Sequence, residues 1–310
     1  MKLLHVIDAR FCANAPAERL ATLRVLTGAF GVVYLAVRGH VLADFRVSPG
    51  HFEPVGVAAW LGSPLPPPLA FALYLAALAS GVAFALGVRF RWSGPAFALL
   101  MLWVTSYRNA WGMIFHTDNL LVLHLCVLAQ SDAAAVLSID ARGRSQRPLD
   151  DARFGWPVRL ISATTALAYL VAGIAKLKVT GLAWMDGDVL RNYIAYDAMR
   201  KSQIGTIHSP FGAWLVQYAW PFPLLSVFSM LLELSGLLML RWPLPARIWA
   251  GGLYAFHVGV FASMAIAFPY PLSGVAFASI FECERLWRLR PLVGLYRWFA
   301  GPSCAGTATE

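Results

Sequence analysis

The sequence predicts an all-α fold: a polytopic transmembrane helical bundle of about eight spans. Three observations carry this. Of 310 residues, 59% are hydrophobic and 13% charged, against about 25% charged in a soluble domain. The apolar runs are long and continuous, close to the roughly 20 residues that a bilayer needs. A barrel would show short alternating segments instead, which leaves helices as the way to satisfy the backbone in lipid.

The opening MKLLHVIDARFCANAPAER holds Asp8, Arg10 and Glu18 and lacks the apolar core of a signal peptide. Residues 1–19 therefore read as a cytoplasmic segment, 20–285 as the membrane domain and 286–310 as a cytoplasmic tail. The expected spans are about Leu20 to Leu42, Pro67 to Leu86, Pro95 to Ser106, Leu120 to Leu137, a fifth from Val158, then Phe222 to Leu240, Ala246 to Phe268 and Leu272 to Phe281. The most polar stretch, Asp140 to Arg153, separates the fourth and fifth. A mixed polar and aromatic segment, Lys176 to Trp220, separates the fifth and sixth.

Net charge is +9, from 25 Lys and Arg against 16 Asp and Glu. Fifteen of the 25 fall in one set of loops, among them Arg89, Arg91, Arg142, Arg144, Arg147 and Arg153, and eight in the opposite set. The excess is positive-inside bias, which puts both termini in the cytoplasm of a bacterial-type inner membrane. It gives no support to a nucleic-acid partner. Cys12, Cys126, Cys283 and Cys304 form no CxxC pair and have no ligand spacing with a histidine, so neither a disulfide nor a metal site is expected.

The chain is organised around YLVAGIAKLKVTGLAWMDGD, Tyr169 to Asp188. Ala168, Ala172 and Lys176 lie four apart and share a helix face, and small residues there admit a neighbouring helix. A lysine packed in that row loses hydration, which favours its neutral form and basic chemistry. The alternative is an interfacial lysine that snorkels to the headgroups beside Trp184. His116 lies on the same predicted outer side, in the hairpin after Trp111, so a histidine and a lysine share a membrane face, as an acid/base site needs. Arg24 and Glu233 are charges within spans at compatible depths, expected to pair with each other. His124 is a lone histidine on an apolar helix and takes no role.

Three segments resemble the horizontally transferred transmembrane (HTTM) domain, a family that includes the membrane core of the vitamin K-dependent gamma-carboxylase. AGIAKLKVTGLAWMDGDVL resembles its signature through Tyr169, Ala172, Gly173, Lys176, Leu177, Trp184 and Gly187. NAWGMIFHTDNLLVLHLCVLAQSD is similar to a second segment through Trp111, His116 and Asp132. FHVGVFASMAIAF is similar to a third through Phe256, His257 and Phe268.

The resemblance implies a catalytic Lys176 that deprotonates a reduced quinone of vitamin K type, with His116 supporting the charge that develops. It places Trp111, Tyr169, Trp184 and His257 at the cofactor. The implied activity is a quinol-dependent modification of carboxylase or lyase type, on a substrate at the outer face. The short tail leaves no counterpart of the carboxylase's outer substrate-binding domain. The alternative is therefore a non-carboxylating maturation or partner protein for a secreted peptide. Membrane lipid is the partner common to both readings.

The charge asymmetry makes a testable topology. In a background freed of native cysteines, an impermeant thiol reagent applied to intact cells should label Ser202→Cys and spare Ser145→Cys. The reverse pattern would overturn the orientation.

Overall fold

The computed structural model describes residues 13–42, 49–112, 118–142 and 150–300. It is almost all helix, joined by turns, with one antiparallel bridge between β1 (Ala15–Pro16) and β2 (Asp150–Asp151). The chain divides into two units, 1–161 with 282–310, and 162–281.

The first unit is built on α1 (Ala17–Leu42), α2 (Pro67–Leu86), α3 (Phe90–Arg108) and α4 (Asn119–Ala129). Two features let the first three pack closely. Prolines open α2 where no N–H donor is needed. Glycines leave room for rings: Phe97 fills the space beside Gly31 and Gly81, and Phe84 the space beside Gly28. Both phenylalanines are fully buried. Between α2 and α3 the chain turns through Gly87, whose φ of 65° suits glycine and where an added Cβ would press on Ser138 and Arg24. Asp140 caps the start of α3 by accepting from the backbone N–H of Arg89 at 2.9 Å and of Phe90 at 2.8 Å.

Arg24 is fully buried. Its guanidinium donates to the carbonyl of Ala133 at 2.9 Å and to that of Leu137. This corrects the expected pair with Glu233: each charge has its partner inside its own unit. It also explains why α4 stops at Ala129 and residues 130–142 run as turns rather than continuing a span to Leu137. The two carbonyls that a helix would use internally serve a buried cation instead. Leu137 takes a left-handed φ of 49° in doing so, an unfavourable backbone for a leucine.

The C-terminal segment of this unit grips the start of α1. Arg19 pairs with Glu284 at 2.6 Å, Trp287 donates to the Thr22 hydroxyl at 2.7 Å, and Tyr296 donates to Glu18 at 2.8 Å. Tyr296 lies on α11, Arg290–Ala300, numbered after the helices of the second unit.

The helix α5 (Ala152–Thr180) begins in the first unit and runs on through the second, which also holds α6 (Asp188–Gln203), α7 (Pro210–Leu215), α8 (Pro221–Met239), α9 (Pro243–Met264) and the short α10 (Pro269–Leu272). The expected eighth span is not a spanning helix. Pro269, Pro271 and Gly274 break the segment into α10 and a 3₁₀ turn, Val275–Ile280. Side chains fix that turn to α5: Ser162 bonds Ser279 at 2.9 Å and Thr165 the carbonyl of Ala276 at 3.2 Å. Helices cover the other seven expected spans, at least in part. Among the described residues, four segments are long and apolar enough to cross a bilayer: Ala17–Gly39, Pro67–Leu86, Ala152–Asp186 and Pro221–Met239.

Replacing Arg24 tests the account of the first unit. Arg24→Leu should strand two buried carbonyls, at roughly 1–3 kcal/mol each, and lower the melting temperature in detergent. Arg24→Lys should recover only part, because one ammonium lacks the fork that reaches both acceptors. An unchanged melting temperature in Arg24→Leu would contradict it.

Candidate functional site

The site forms along one face of α5. The buried row is Ser162, Thr165, Ala166, Tyr169 and Gly173, ending at the part-buried Lys176. This differs from the expected row of Ala168, Ala172 and Lys176, in which Ala168 is exposed. Alternating steps of three and four follow the helical repeat of 3.6, whereas repeated steps of four drift round the axis. The residue that admits the neighbouring helix is Gly173. A Cβ there would lie 2.9 Å from the side chain of Leu234 and 3.0 Å from the Cβ of Glu233 on α8.

That close approach delivers Glu233 to Lys176. The lysine Nζ donates to Glu233 Oε1. Glu233 is 3% exposed, while the Lys176 side chain is 24% exposed. The Nζ also stands 4.8 Å from the centre of the Trp184 ring and 5.7 Å from that of Phe256, within the range of cation–π attraction. Glu233 Oε2 is buried and has no hydrogen-bond partner among the described residues. Lys178, two residues further on, is exposed.

Trp184 is held in place by the chain's departure from α5. After Thr180 a 3₁₀ turn, Gly181–Asp186, carries the indole inward, where its Nε1 donates to Ser229 on α8 at 3.3 Å. The turn closes at Gly187 with φ 86°. A Cβ at Gly187 would collide with the backbone of Phe222 and Pro223, so both conformation and space call for glycine there.

Two turns before Lys176, the Tyr169 hydroxyl and His257 Nε2 are 2.7 Å apart. Aromatic rings surround this pair. Trp249 meets Tyr169 edge-on at 6.1 Å, Phe277 stacks on it at 6.2 Å, and Phe256 and Phe268 flank the imidazole at 5.3 and 4.9 Å. His257 Nδ1 is buried without a hydrogen-bond partner among the described residues. The arrangement thus holds two polar pairs, each with one unused acceptor or donor position, between aromatic walls.

Of the residues singled out from the sequence, Lys176, Tyr169, Trp184 and His257 all lie in this unit, linked through Phe256, Trp249 and α8. Trp111 belongs to the first unit, where its ring is 4.8 Å from those of Phe52 and Tyr107. His116 lies outside the described residues. The sequence reading paired Glu233 with Arg24 rather than with Lys176, and it did not single out Trp249 or Phe277. The signal was present in the rule that a buried acid needs a cation. Placing Lys176 at the mouth of its span hid the answer. The segment long and apolar enough to cross a bilayer runs on through the 3₁₀ turn to Asp186, beyond the lysine.

A family model, the HTTM domain, matches residues 14–287. The chain belongs to the HTTM domain family. No curated protein and no solved structure matches it. Within this HTTM domain, no group of three or more His, Cys, Asp or Glu is gathered as a metal site among the described residues. Cys283 is chemically quiet: burial, helped by Glu284, pushes its thiol up to about 12, far from the thiolate needed for reactivity.

Gly173 is the point at which the site can be broken without touching a charged group. Gly173→Val should push α8 away from α5, cost roughly 1–3 kcal/mol as overpacking does, and separate Lys176 from Glu233. The loss should be read as a lower melting temperature in detergent, and a Gly173→Val protein as stable as the parent would contradict the packing described.

Proposed function

We propose that this HTTM protein is a membrane enzyme in which the Lys176–Glu233 pair performs acid/base chemistry on a lipid-soluble quinol, coupled to modification of a substrate at the outer membrane face. The carrying observation is a buried ion pair set against aromatic rings with one carboxylate oxygen unused. Buried charges of this kind are costly and mark functional sites in membranes.

The residues present fit a reduced quinone. Trp184 and Phe256 would flank its ring, and Glu233 Oε2 and His257 Nδ1 are polar atoms left for its oxygens. When bound, such a group supplies an ionisable hydroxyl and reducing electrons. The chain's own residues do the rest. Glu233 and Lys176 hold and move a proton. Trp184, fixed through Ser229, closes one side against water. Tyr169, held by His257, orients the far end. The resemblance also proposes roles for His116, in supporting charge, and for Trp111, at the cofactor. The setting proposed is a bacterial-type inner membrane with both termini cytoplasmic, from the charge distribution of the loops.

A second reading is a non-carboxylating maturation or partner protein for a secreted peptide. The exposed Tyr193, Tyr196 and Met199 on α6, with Ile207 and Trp214 beyond it, favour it, because they give an apolar surface between α5 and α8 that a peptide could cover.

Quinol oxidation by dioxygen in reconstituted vesicles separates the two. A positioned acid/base group contributes about 10²- to 10⁴-fold in rate. Lys176→Ala should therefore lose at least about a hundredfold, while Lys178→Ala stays near the parent. Equal rates for Lys176→Ala and the parent would leave Lys176 as a structural anchor and remove the enzymatic reading.

A further inference from the structure

We propose that α11 is an interfacial helix that binds anionic phospholipid of the surrounding bilayer. The inference stands apart from the quinol reading and rests on different residues, all of the first unit.

Placement is the first observation. With 11 residues, α11 falls well short of the roughly 20 that a span needs. It is tied to the opening turns of α1. Trp287, in the 3₁₀ turn Cys283–Arg288 that precedes α11, donates to the Thr22 hydroxyl, and Tyr296 donates to Glu18. The Arg19–Glu284 pair adds a third tie. The segment Ala17–Gly39 of α1 is long and apolar enough to cross a bilayer. Its opening turn therefore lies at the bilayer surface, and α11 is held there with it.

The second observation is the division of α11 into three strips. At 3.6 residues per turn, Leu292, Tyr296 and Phe299 share one side. Phe299 is buried and Tyr296 half-buried, and Trp287 meets their rings at 6.1 and 6.0 Å. That strip packs on the unit. Leu295 and Trp298 form the next strip and are exposed. Arg290 and Arg297 form the third, within about 20° of each other round the axis, and both are exposed. An exposed apolar flank beside a cationic edge is the pattern of a helix lying in the headgroup region, with leucine and tryptophan at the acyl boundary.

Third, the charges are available. Arg19 has Glu284 and Arg285 has Glu282. Arg288, Arg290 and Arg297 pair with no carboxylate among the described residues. Arg142, from the turns that follow α4, stands 4.7 Å from the centre of the Trp298 ring. The tryptophan thus has one arginine over its ring and another next to it in the chain.

These features select the occupant. A guanidinium matches phosphate oxygens with two donors at once, and its aliphatic stem lies easily along apolar surface. An excess of unpaired arginines favours an anionic headgroup over a zwitterionic one. An acidic protein would satisfy the arginines as well, but Leu295 and Trp298 need an apolar neighbour, and at the end of a span that neighbour is lipid.

The experiment uses the full chain in two ways. In a background freed of native cysteines, Leu295→Cys carries a polarity-sensitive fluorophore, and the protein is reconstituted in phosphatidylcholine vesicles containing phosphatidylglycerol. The fluorescence should shift to the blue, be quenched by lipid spin-labelled near the headgroup, and resist iodide. Separately, native mass spectrometry reads which lipids stay on unlabelled protein released from a bilayer with equal amounts of the two. The parent should retain phosphatidylglycerol in preference. Replacing Arg290 and Arg297 together by glutamine should lower that preference by about fivefold for each charge removed, with the melting temperature near the parent's. Lysine at both positions should keep most of it, and high salt in the bilayer sample should weaken it.

A Leu295 label quenched by iodide and not by the spin-labelled lipid would overturn the inference. So would a label shielded from both in a protein of doubled mass, which would assign the flank to a second copy of the chain. Equal retention of the two lipids by the parent, or an unchanged preference in the glutamine variant, would overturn it too. The parent's retention needs no substitution, so the test stays decisive even if a variant fails to fold. None of these outcomes depends on quinol turnover.

Discussion

A buried carboxylate must have a cation, and in this protein that requirement shapes the second unit. Glu233 sits on an otherwise apolar helix. Its place is tolerable because Lys176 reaches it from α5. The reach in turn depends on Gly173, which brings the backbones of α5 and α8 close enough. The chain then has to leave α5 without disturbing the lysine, and the 3₁₀ turn with Trp184 and Gly187 does this. The motif residues from Tyr169 to Gly187 thus act as one device. Two glycines set distances, a tryptophan covers the charge, and the lysine meets the acid.

The first unit answers the same physical demand differently. Arg24 is as deeply buried as any of the described residues, and its hydrogen bonds go to two backbone carbonyls. An arginine is suited to this because its planar fork serves two acceptors at once. The result is structural: a helix is ended early, a turn segment is tied down, and Leu137 is held in an unfavourable backbone conformation. One buried cation shapes a turn, while the other has a partner with an unused oxygen. That difference is what separates a structural charge from a candidate reactive one.

Much of this was legible in the sequence. Composition and run length gave the membrane class and helical character, and helices lie on seven of the expected spans. The motif lysine, tyrosine, tryptophan and second histidine do lie in one unit. The pairing of charges was not legible, because depth was judged from the apparent end of the fifth span at Lys176. The helical segment in fact runs on through the 3₁₀ turn to Asp186. The packed face was also misread. Ala168 and Ala172 look like a contact row, but Gly173 makes the contact and Ala168 is exposed. The early end of α4 could not be seen, since its cause is an arginine more than a hundred residues away. The last apolar run looked long enough for a span, yet its prolines and Gly274 divide it.

Chemically, the account rests on one aromatic-walled place with an ion pair at one end and a tyrosine–histidine pair two turns away. A flat, reduced ring with an oxygen at either end is the ligand proposed for it. The most direct measurement is mass spectrometry of the small molecules that remain with the protein when it is purified with its native lipids. The account expects a quinone retained in near-stoichiometric amount and lost when Trp184 is replaced by alanine. Purified protein carrying only phospholipid, and taking up no quinone when it is supplied, would contradict it.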